Sequence, residues 1–182
     1  MSEETTALRL EPVAAPHQAA YLAMLDDFER GGEFYGWNDA ETARADWSAF
    51  VADLDREARG EGLPSGILAQ TTYIVLDPDG RALGEIRLRP IPPISEEVLL
   101  ANNGHIGYNV RPSGRGRGIA TRMLALTLER AHAAGLRRVM LLVEGENPAS
   151  VKVITRNGGQ LTRQFNDPET RETTAVYWIE LA

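Results

Sequence analysis

Hydrophobic positions recur along the chain at two spacings, one typical of helices and the other of strands. Helical spacing predicts helices over residues 16–30, 40–59 and 117–134. The third is the clearest of these, and Gly135 is a natural stop for it. Asn147 and Pro148 suit the N-cap and the first position of a fourth helix, which we expect to end at residues 157–159.

Short apolar or alternating runs predict strands in most of the remaining chain. The seven segments are residues 6–10, 71–76, 82–89, 105–110, 138–143, 160–165 and 173–181. The run 138–143 is nearly all apolar, which indicates a central strand covered on both faces. Turns are predicted at 77–80 and 166–168, and loops at 60–66 and 90–104. This order predicts an α/β (α+β) fold with a mixed sheet.

Length and composition narrow the class of protein. A chain of 182 residues suits a single domain, residues 1–182. With no cysteine, the sequence excludes disulfides, thiolate metal sites and a cysteine nucleophile, and we expect no metal. The net charge of −7 argues against a nucleic-acid partner. Neither a signal peptide nor an apolar run of roughly 20 residues is visible, so we expect a cytoplasmic protein without membrane contact.

The segment Arg115-Gly116-Arg117-Gly118-Ile119-Ala120 is the strongest chemical signal, because it lies between a predicted strand and the clearest helix. The first amides of a helix are unpaired and carry partial positive charge, and glycines let a ligand approach the backbone closely. Together they predict a site for a pyrophosphate. The alternative is a plain turn with solvated arginines. The glycine spacing fits neither a Walker loop nor a dinucleotide fingerprint, and two Arg-Gly units in an acidic chain are a poor RNA-binding signal.

The same segment resembles the pyrophosphate turn of the GNAT superfamily of N-acetyltransferases, in which Arg115, Gly118 and Ala120 match the expected positions. The stretches GHIGYNVRPSGRGRGIATRML and VMLLVEGENPASVKVITRNGG resemble the strand–turn–helix and strand–helix units of that family, most closely those of an uncharacterised bacterial branch. The resemblance covers residues 71–181. It implies a cofactor-binding core over 67–182 and a variable N-terminal strand and acceptor-side helices over 1–66. The implied sheet has six to seven mostly antiparallel strands, splayed at its centre, with four helices on both faces.

The resemblance implies that acetyl-CoA is the cofactor and that its pantetheine arm lies between the splayed strands. Backbone groups near Asn109 to Arg111 would pair with this arm, and a peptide N–H near Tyr108 to Val110 would bind the thioester oxygen. Asn147 would contact the pantetheine, or would only cap its helix. The full set of implied cofactor-binding residues is Tyr108, Asn109, Val110, Arg111, Arg115, Gly116, Arg117, Gly118, Ile119, Ala120, Thr121, Asn147 and Ser150.

Transfer of an acetyl group to an amine needs a base for the amine proton and an acid for the departing thiolate. Many relatives place a tyrosine acid where this chain has Ile154, so we expect Ser150 to take that role. The base is expected to be His105 or Glu85, the latter through a water, or else bulk water.

The acceptor is predicted to be a primary amine of an unidentified small molecule or peptide. The aromatic residues of loop 34–37 and the second helix would border its site, or else belong to the core. The alternative function is an acyl-CoA-binding or sensing module without turnover, which the missing tyrosine favours. Either a monomer or a homodimer is expected, because the last strands offer an exposed edge.

Overall fold

The computed structural model describes residues 7–33, 35, 38–90, 94–166 and 172–181. In these ranges the chain forms seven strands and six α-helices. The strands are β1 (Arg9–Pro12), β2 (Thr71–Leu76), β3 (Ala82–Leu88), β4 (Ile106–Val110), β5 (Arg138–Glu144), β6 (Gln160–Asn166) and β7 (Thr173–Glu180). The helices are α1 (Gln18–Arg30), α2 (Ala40–Ala45), α3 (Trp47–Arg59), α4 (Glu96–Ala101), α5 (Ile119–Ala133) and α6 (Pro148–Arg156).

The strands form two antiparallel sheets. The first has the order β1-β2-β3-β4, and the second has the order β5-β7-β6. The predicted α/β class and splayed central strands are therefore confirmed. In the described ranges the strands form two sheets rather than the single mixed sheet expected, and there are six α-helices rather than four. The division falls between β4 and β5.

Helices cover both faces of this arrangement. One apolar cluster joins both sheets to α5 and α6, and includes Ile86, Met123, Leu124, Leu141 and Ile154. A second cluster packs α1, α2 and α3 against the opposite face of β2 and β3. A small third cluster places Leu99 of α4 on β5 and β7. The two faces of the first sheet thus support different structures: α5 on one and the N-terminal helices on the other.

Two of the predicted element boundaries are wrong. The helix predicted over 40–59 is broken at Asp46, whose φ of −146° is not helical and whose carboxylate accepts from the N–H of Ala49 at 3.0 Å, capping α3. The loop predicted over 90–104 contains α4, which Ser95 caps. The 77–80 turn is confirmed by a hydrogen bond from the N–H of Gly80 to the carbonyl of Asp77. Part of the predicted 166–168 turn lies outside the described residues.

Among the described residues no helix is both long and apolar enough to span a bilayer. The same residues include no group of three or more metal-ligating His, Asp or Glu side chains.

Candidate functional site

The gap between β4 and β5 closes at one end through a pair of hydrogen bonds. The N–H of His105 donates to the carbonyl of Met140 at 2.9 Å, and the N–H of Met140 donates to Nδ1 of His105 at 2.9 Å. Gly104 makes this approach possible, because a Cβ there would lie 2.7 Å from the carbonyl oxygen of Met140. From this end the two strands separate toward Val110.

The backbone of β4 points its polar groups alternately toward β3 and toward the gap. Arg111 donates to the carbonyl of Leu83, and Arg89 donates to the carbonyl of His105, so these pairs fix the alternation. The polar backbone groups of Tyr108 and Val110 therefore face the gap. Those of Asn109 and Arg111 face β3, which corrects the expectation that they pair with a ligand in the gap.

A cavity of about 530 Å³ lies between the end of β4, the N-terminus of α5 and α6. We call it the α5–α6 cavity. It brings together eleven of the thirteen residues predicted to bind the cofactor: Tyr108, Asn109, Val110, Arg115, Gly116, Gly118, Ile119, Ala120, Thr121, Asn147 and Ser150. Arg111 and Arg117 are not among its lining residues.

The N-terminus of α5 is shaped to bind an anion. Gly116 and Gly118 have φ values of 76° and 81°, in the left-handed region that glycine adopts without strain. The first bond of the helix runs from the N–H of Arg122 to the carbonyl of Gly118, so the amides of Ile119, Ala120 and Thr121 precede the ladder. These amides and the positive end of the helix dipole open into the cavity.

Arg115 connects this turn to the N-terminal helices. Its Nε donates to the carbonyl of Val110 at 3.0 Å, and its two terminal nitrogens lie 2.7 Å from the carboxylate oxygens of Glu33. The charge of Arg115 is thus already balanced by a carboxylate. The side chain of Arg115 therefore fixes the position of the turn through these hydrogen bonds, in addition to its positive charge.

Arg111 lies away from the cavity because it belongs to a second connection. Its Nε donates to Asp27 of α1 at 3.1 Å, and the N–H and hydroxyl of Ser113 donate to the same oxygen at 3.0 and 2.7 Å. The hydrogen bonds from Arg111 and Ser113 hold the pKa of Asp27 well below its usual range despite its burial. Asp27 was not predicted as a site residue, because only the fold brings it to this turn.

The start of α6 forms the opposite wall. The side chain of Asn147 accepts from the N–H of Ser150 at 2.9 Å, so the predicted cap is confirmed, and Asn147 also lines the cavity. The hydroxyl of Tyr108 donates to the carbonyl of Ser150 at 3.4 Å. Tyr108 was predicted to act through its backbone, and no role was predicted for its phenol. Ile154 is fully buried in the core, away from the cavity wall.

A second concavity of about 430 Å³ follows the gap between β4 and β5, and we call it the β4–β5 groove. Its walls include Arg87, Arg89, Leu142 and Glu144. Three residues line both it and the α5–α6 cavity: Tyr108, Asn147 and Ser150. The two spaces therefore meet beside two side-chain hydroxyl groups.

Glu85 lies behind the groove with no exposed surface. The hydroxyl of Tyr21 donates to it at 2.8 Å, and Nδ2 of Asn38 donates to both of its oxygens at 3.0 and 3.2 Å. Burial raises the pKa of Glu85, while Tyr35, Arg87 and these donors oppose the rise. The partners Tyr21, Tyr35 and Asn38 were not predicted, because they lie 64, 50 and 47 positions before Glu85 in the sequence.

His105 does not reach either space. It is buried, its Nδ1 is occupied by Met140, and its ring packs edge-on to Trp178 at 6.0 Å. Burial, with the neighbouring Arg89 and Arg138, lowers the pKa of His105 to about 4. The geometry gives it a structural position at the closed end of the gap, which does not favour the predicted role as base.

The predicted aromatic border is only partly within the described residues, since residues 34, 36 and 37 lie outside them. Tyr35 packs on Phe28 at 5.3 Å, and its hydroxyl lies 2.7 Å from that of Tyr21. Trp47 and Phe50 of α3 are buried in the second apolar cluster. Of the two roles expected for the aromatic residues, these described side chains have the core role rather than bordering the acceptor site.

Comparison with known proteins agrees with this fold. The diaminobutyric acid acetyltransferase of Nocardia farcinica is 33% identical over 99 residues, which cover 51% of this chain and 48% of that protein. The chain thus matches about half the length of this curated relative. RimJ of Mycobacterium smegmatis, solved with CoA-disulfide, superposes with a TM-score of 0.70 at 21% identity, over 95% of this chain and 81% of that one. RimL, a ribosomal alpha-N-protein acetyltransferase solved with coenzyme A, superposes with a TM-score of 0.68 at 19% identity, over 97% and 95% of the two chains.

The family model of the acetyltransferase (GNAT) domain matches residues 7–160, from β1 to the start of β6. This span includes both concavities and the turn at the start of α5. By this match and the shared fold, the chain belongs to the GNAT acetyltransferase family.

Proposed function

We propose that this chain is an N-acetyltransferase that moves an acetyl group from acetyl-CoA to a primary amine. The observation that carries the proposal is the meeting of the α5–α6 cavity and the β4–β5 groove at Tyr108, Asn147 and Ser150. A donor in the cavity and an acceptor in the groove come into contact at this junction. Family membership and the related structures solved with CoA support the identity of the donor.

The α5–α6 cavity fits coenzyme A by the chemistry of its walls. The amides of Ile119, Ala120 and Thr121 suit the diphosphate, because they are donors at a helix N-terminus. The backbone of Tyr108 and Val110, which faces the gap, suits the amide-bearing pantetheine arm. The backbone groups of Asn109 and Arg111 point to β3. We therefore assign the pantetheine arm to Tyr108 and Val110.

When bound, acetyl-CoA supplies a thioester whose carbonyl carbon the amine attacks and whose carbon–sulfur bond then breaks. A backbone N–H of Tyr108 or Val110 would donate to the thioester oxygen as it gains negative charge. The hydroxyl of Ser150 would give its proton to the departing sulfur. The phenol of Tyr108 is close enough to share this role, since it donates to the carbonyl of Ser150 at 3.4 Å, and burial raises its pKa so that it stays protonated.

The amine proton must leave in the opposite direction, toward the groove. Burial raises the pKa of Glu85, which makes it a stronger base than an ordinary carboxylate, but it lies behind Asn38 and Tyr21. We therefore propose that a water in the groove takes the proton first. Glu85 then receives the hydroxyl proton of Tyr21, which Tyr21 regains through the neighbouring hydroxyl of Tyr35. Position 154 lacks the family tyrosine, but the hydroxyls of Tyr108 and Ser150 both lie at the junction, and their presence favours turnover over the sensing alternative.

The test is release of CoA thiol from acetyl-CoA across a panel of amines, with Ser150→Ala and the matched Ser150→Thr. We expect release with at least one amine, and a kcat about 100-fold lower for Ser150→Ala, while Ser150→Thr keeps most of it. Affinity for CoA, measured by calorimetry, should be unchanged in both variants. If the protein binds acetyl-CoA but no amine releases thiol, the sensing module is correct instead.

A further inference from the structure

Two arginines face the β4–β5 groove from neighbouring positions on one side of β3. Arg87 and Arg89 are two residues apart, so they share the strand face opposite to Ile86 and Leu88, which are buried in the core. Both line the groove. This face of the groove is therefore cationic next to the junction where we place the reaction.

Arg89 makes few polar contacts for a partly buried cation. Its Nη1 donates to the carbonyl of Gly104 at 3.2 Å, and no carboxylate of the described residues lies within ion-pairing distance of Arg89. Burial and the adjacent Arg87 lower the pKa of Arg89 to about 10, while Glu57 acts in the opposite direction. The guanidinium is still charged at neutral pH.

Two carboxylates of the fold act electrostatically on these arginines, Glu85 on Arg87 and Glu57 on Arg89. Arg87 donates to Oδ1 of Asn38 at 2.6 Å, and Glu85 lies buried behind it. Glu144 is on the β5 side of the groove and is exposed. A partly buried arginine with no carboxylate at ion-pairing distance, as at Arg89, favours an anionic ligand, and an arginine binds a carboxylate with two parallel hydrogen bonds.

We propose that the acceptor carries a carboxylate, which Arg89 binds together with Arg87 while the amine of the same molecule reaches Ser150 and Tyr108. This inference rests on the proposed acetyltransferase function. The groove of about 430 Å³ suits a molecule in which amine and carboxylate are a few bonds apart. The curated relative agrees, because its named substrate, diaminobutyric acid, has this chemistry. A polyamine without a carboxylate would meet like charge at the same place.

The most direct test compares L-2,4-diaminobutyrate with 1,3-diaminopropane, which differs from it only by the missing carboxylate. We expect kcat/KM to be at least about tenfold higher for the amino acid. Arg89→Gln should lower kcat/KM for diaminobutyrate at least about tenfold and should not lower the value for diaminopropane, because it removes a like charge from that substrate. Arg89→Lys, which keeps the charge, should retain most of the preference. Equal use of both amines by the wild type, or an equal loss on both in Arg89→Gln, would overturn the proposal.

Two further arms keep this test separate from that of the proposed function. The first arm compares a peptide amide that begins with Asp with one that begins with Asn, to test whether a peptide side chain can supply the carboxylate. A preference for the Asp peptide supports the same carboxylate site. Calorimetry of diaminobutyrate and diaminopropane with the CoA-loaded protein measures recognition without turnover. If no amine is acetylated but diaminobutyrate alone binds, the carboxylate site stands and the acetyltransferase activity fails. If diaminopropane binds as well as diaminobutyrate, the carboxylate site fails.

Discussion

Glu85 is the residue whose surroundings differ most from those expected of an ordinary surface carboxylate. It has no exposed surface, and it accepts hydrogen bonds from Tyr21 and Asn38. Burial disfavours its charged form more than these donors favour it, so the pKa rises. Folding therefore makes Glu85 bind its proton more tightly than it does in the unfolded chain.

This raised pKa predicts how stability changes with pH. The unfolded pKa is about 4.3, and above it the unfolded chain loses the proton that the folded protein retains. The contribution of Glu85 is thus fully present below that pH and is lost as pH rises toward the folded pKa, by up to about 1.4 kcal/mol per pH unit. In urea unfolding between pH 5 and 8, the stability of the wild type relative to Glu85→Gln should fall with increasing pH. A difference that is constant or that grows with pH would show that Glu85 is ionised in the fold.

Residues with local partners could be predicted from the sequence, and those with distant partners could not. Asn147 was recognised as a helix cap, because its partner is Ser150, three positions away. The contacts of Asp27 with Arg111 and Ser113 span 84 and 86 positions and leave no local pattern. The same holds for the position of His105, which suggests a base until the contact with Met140 is seen.

At the scale of elements, the closed end of the β4–β5 gap determines where the two sheets meet. Gly104, with a φ of 75°, brings the backbone close to the carbonyl of Met140, and His105 completes the connection. The gap then widens toward Tyr108 and Val110, whose backbone groups face it, although the carbonyl of Val110 already accepts from Nε of Arg115. The splayed strands thus depend on a contact made at the opposite end from the proposed reaction site.

Replacing Gly104 by alanine should weaken this connection. Alanine at positive φ costs about 1 kcal/mol, and the Cβ would also stand 2.7 Å from a backbone oxygen that cannot move independently of β5. Gly135→Ala is the matched control, because its φ is 92° and a Cβ there meets nothing within 4 Å. Thermal and urea unfolding should show Gly104→Ala to be less stable than Gly135→Ala by at least about 2 kcal/mol. Equal stabilities would mean that the β4–β5 contact is not as close as described.

Element types were easier to predict than element boundaries. The seven strands and the helices α1, α5 and α6 follow from apolar spacing and from Gly135 and Asn147 as stop and cap. The break at Asp46 was missed because apolar positions continue in helical spacing on either side of it. The short α4 was missed for the opposite reason, since six residues are too few to show a period.

At the scale of the whole molecule, two concavities with different chemistry meet at one place. The α5–α6 cavity is built on amides and small residues, and the β4–β5 groove has an arginine pair on one side and Glu144 on the other. Sequence motifs predicted the first because it is nearly contiguous in the chain. The second combines residues from β3, β4, β5 and α6, so only the fold could reveal its charge.

The central claim is that the amides at the start of α5 bind the diphosphate of coenzyme A, and Thr121→Asp tests it most directly. An acidic residue in the first helical turn stabilises the helix by about 0.3–1 kcal/mol through the helix dipole, but it repels a phosphate. The matched control is Thr121→Asn, which has nearly the same shape without the charge. Calorimetric titration with CoA should give a dissociation constant at least about tenfold higher for the Asp than for the Asn variant. The melting temperature of the ligand-free Asp variant should be no lower than that of the Asn variant. Equal affinities in the two variants, or no binding of CoA by the wild type, would contradict the account.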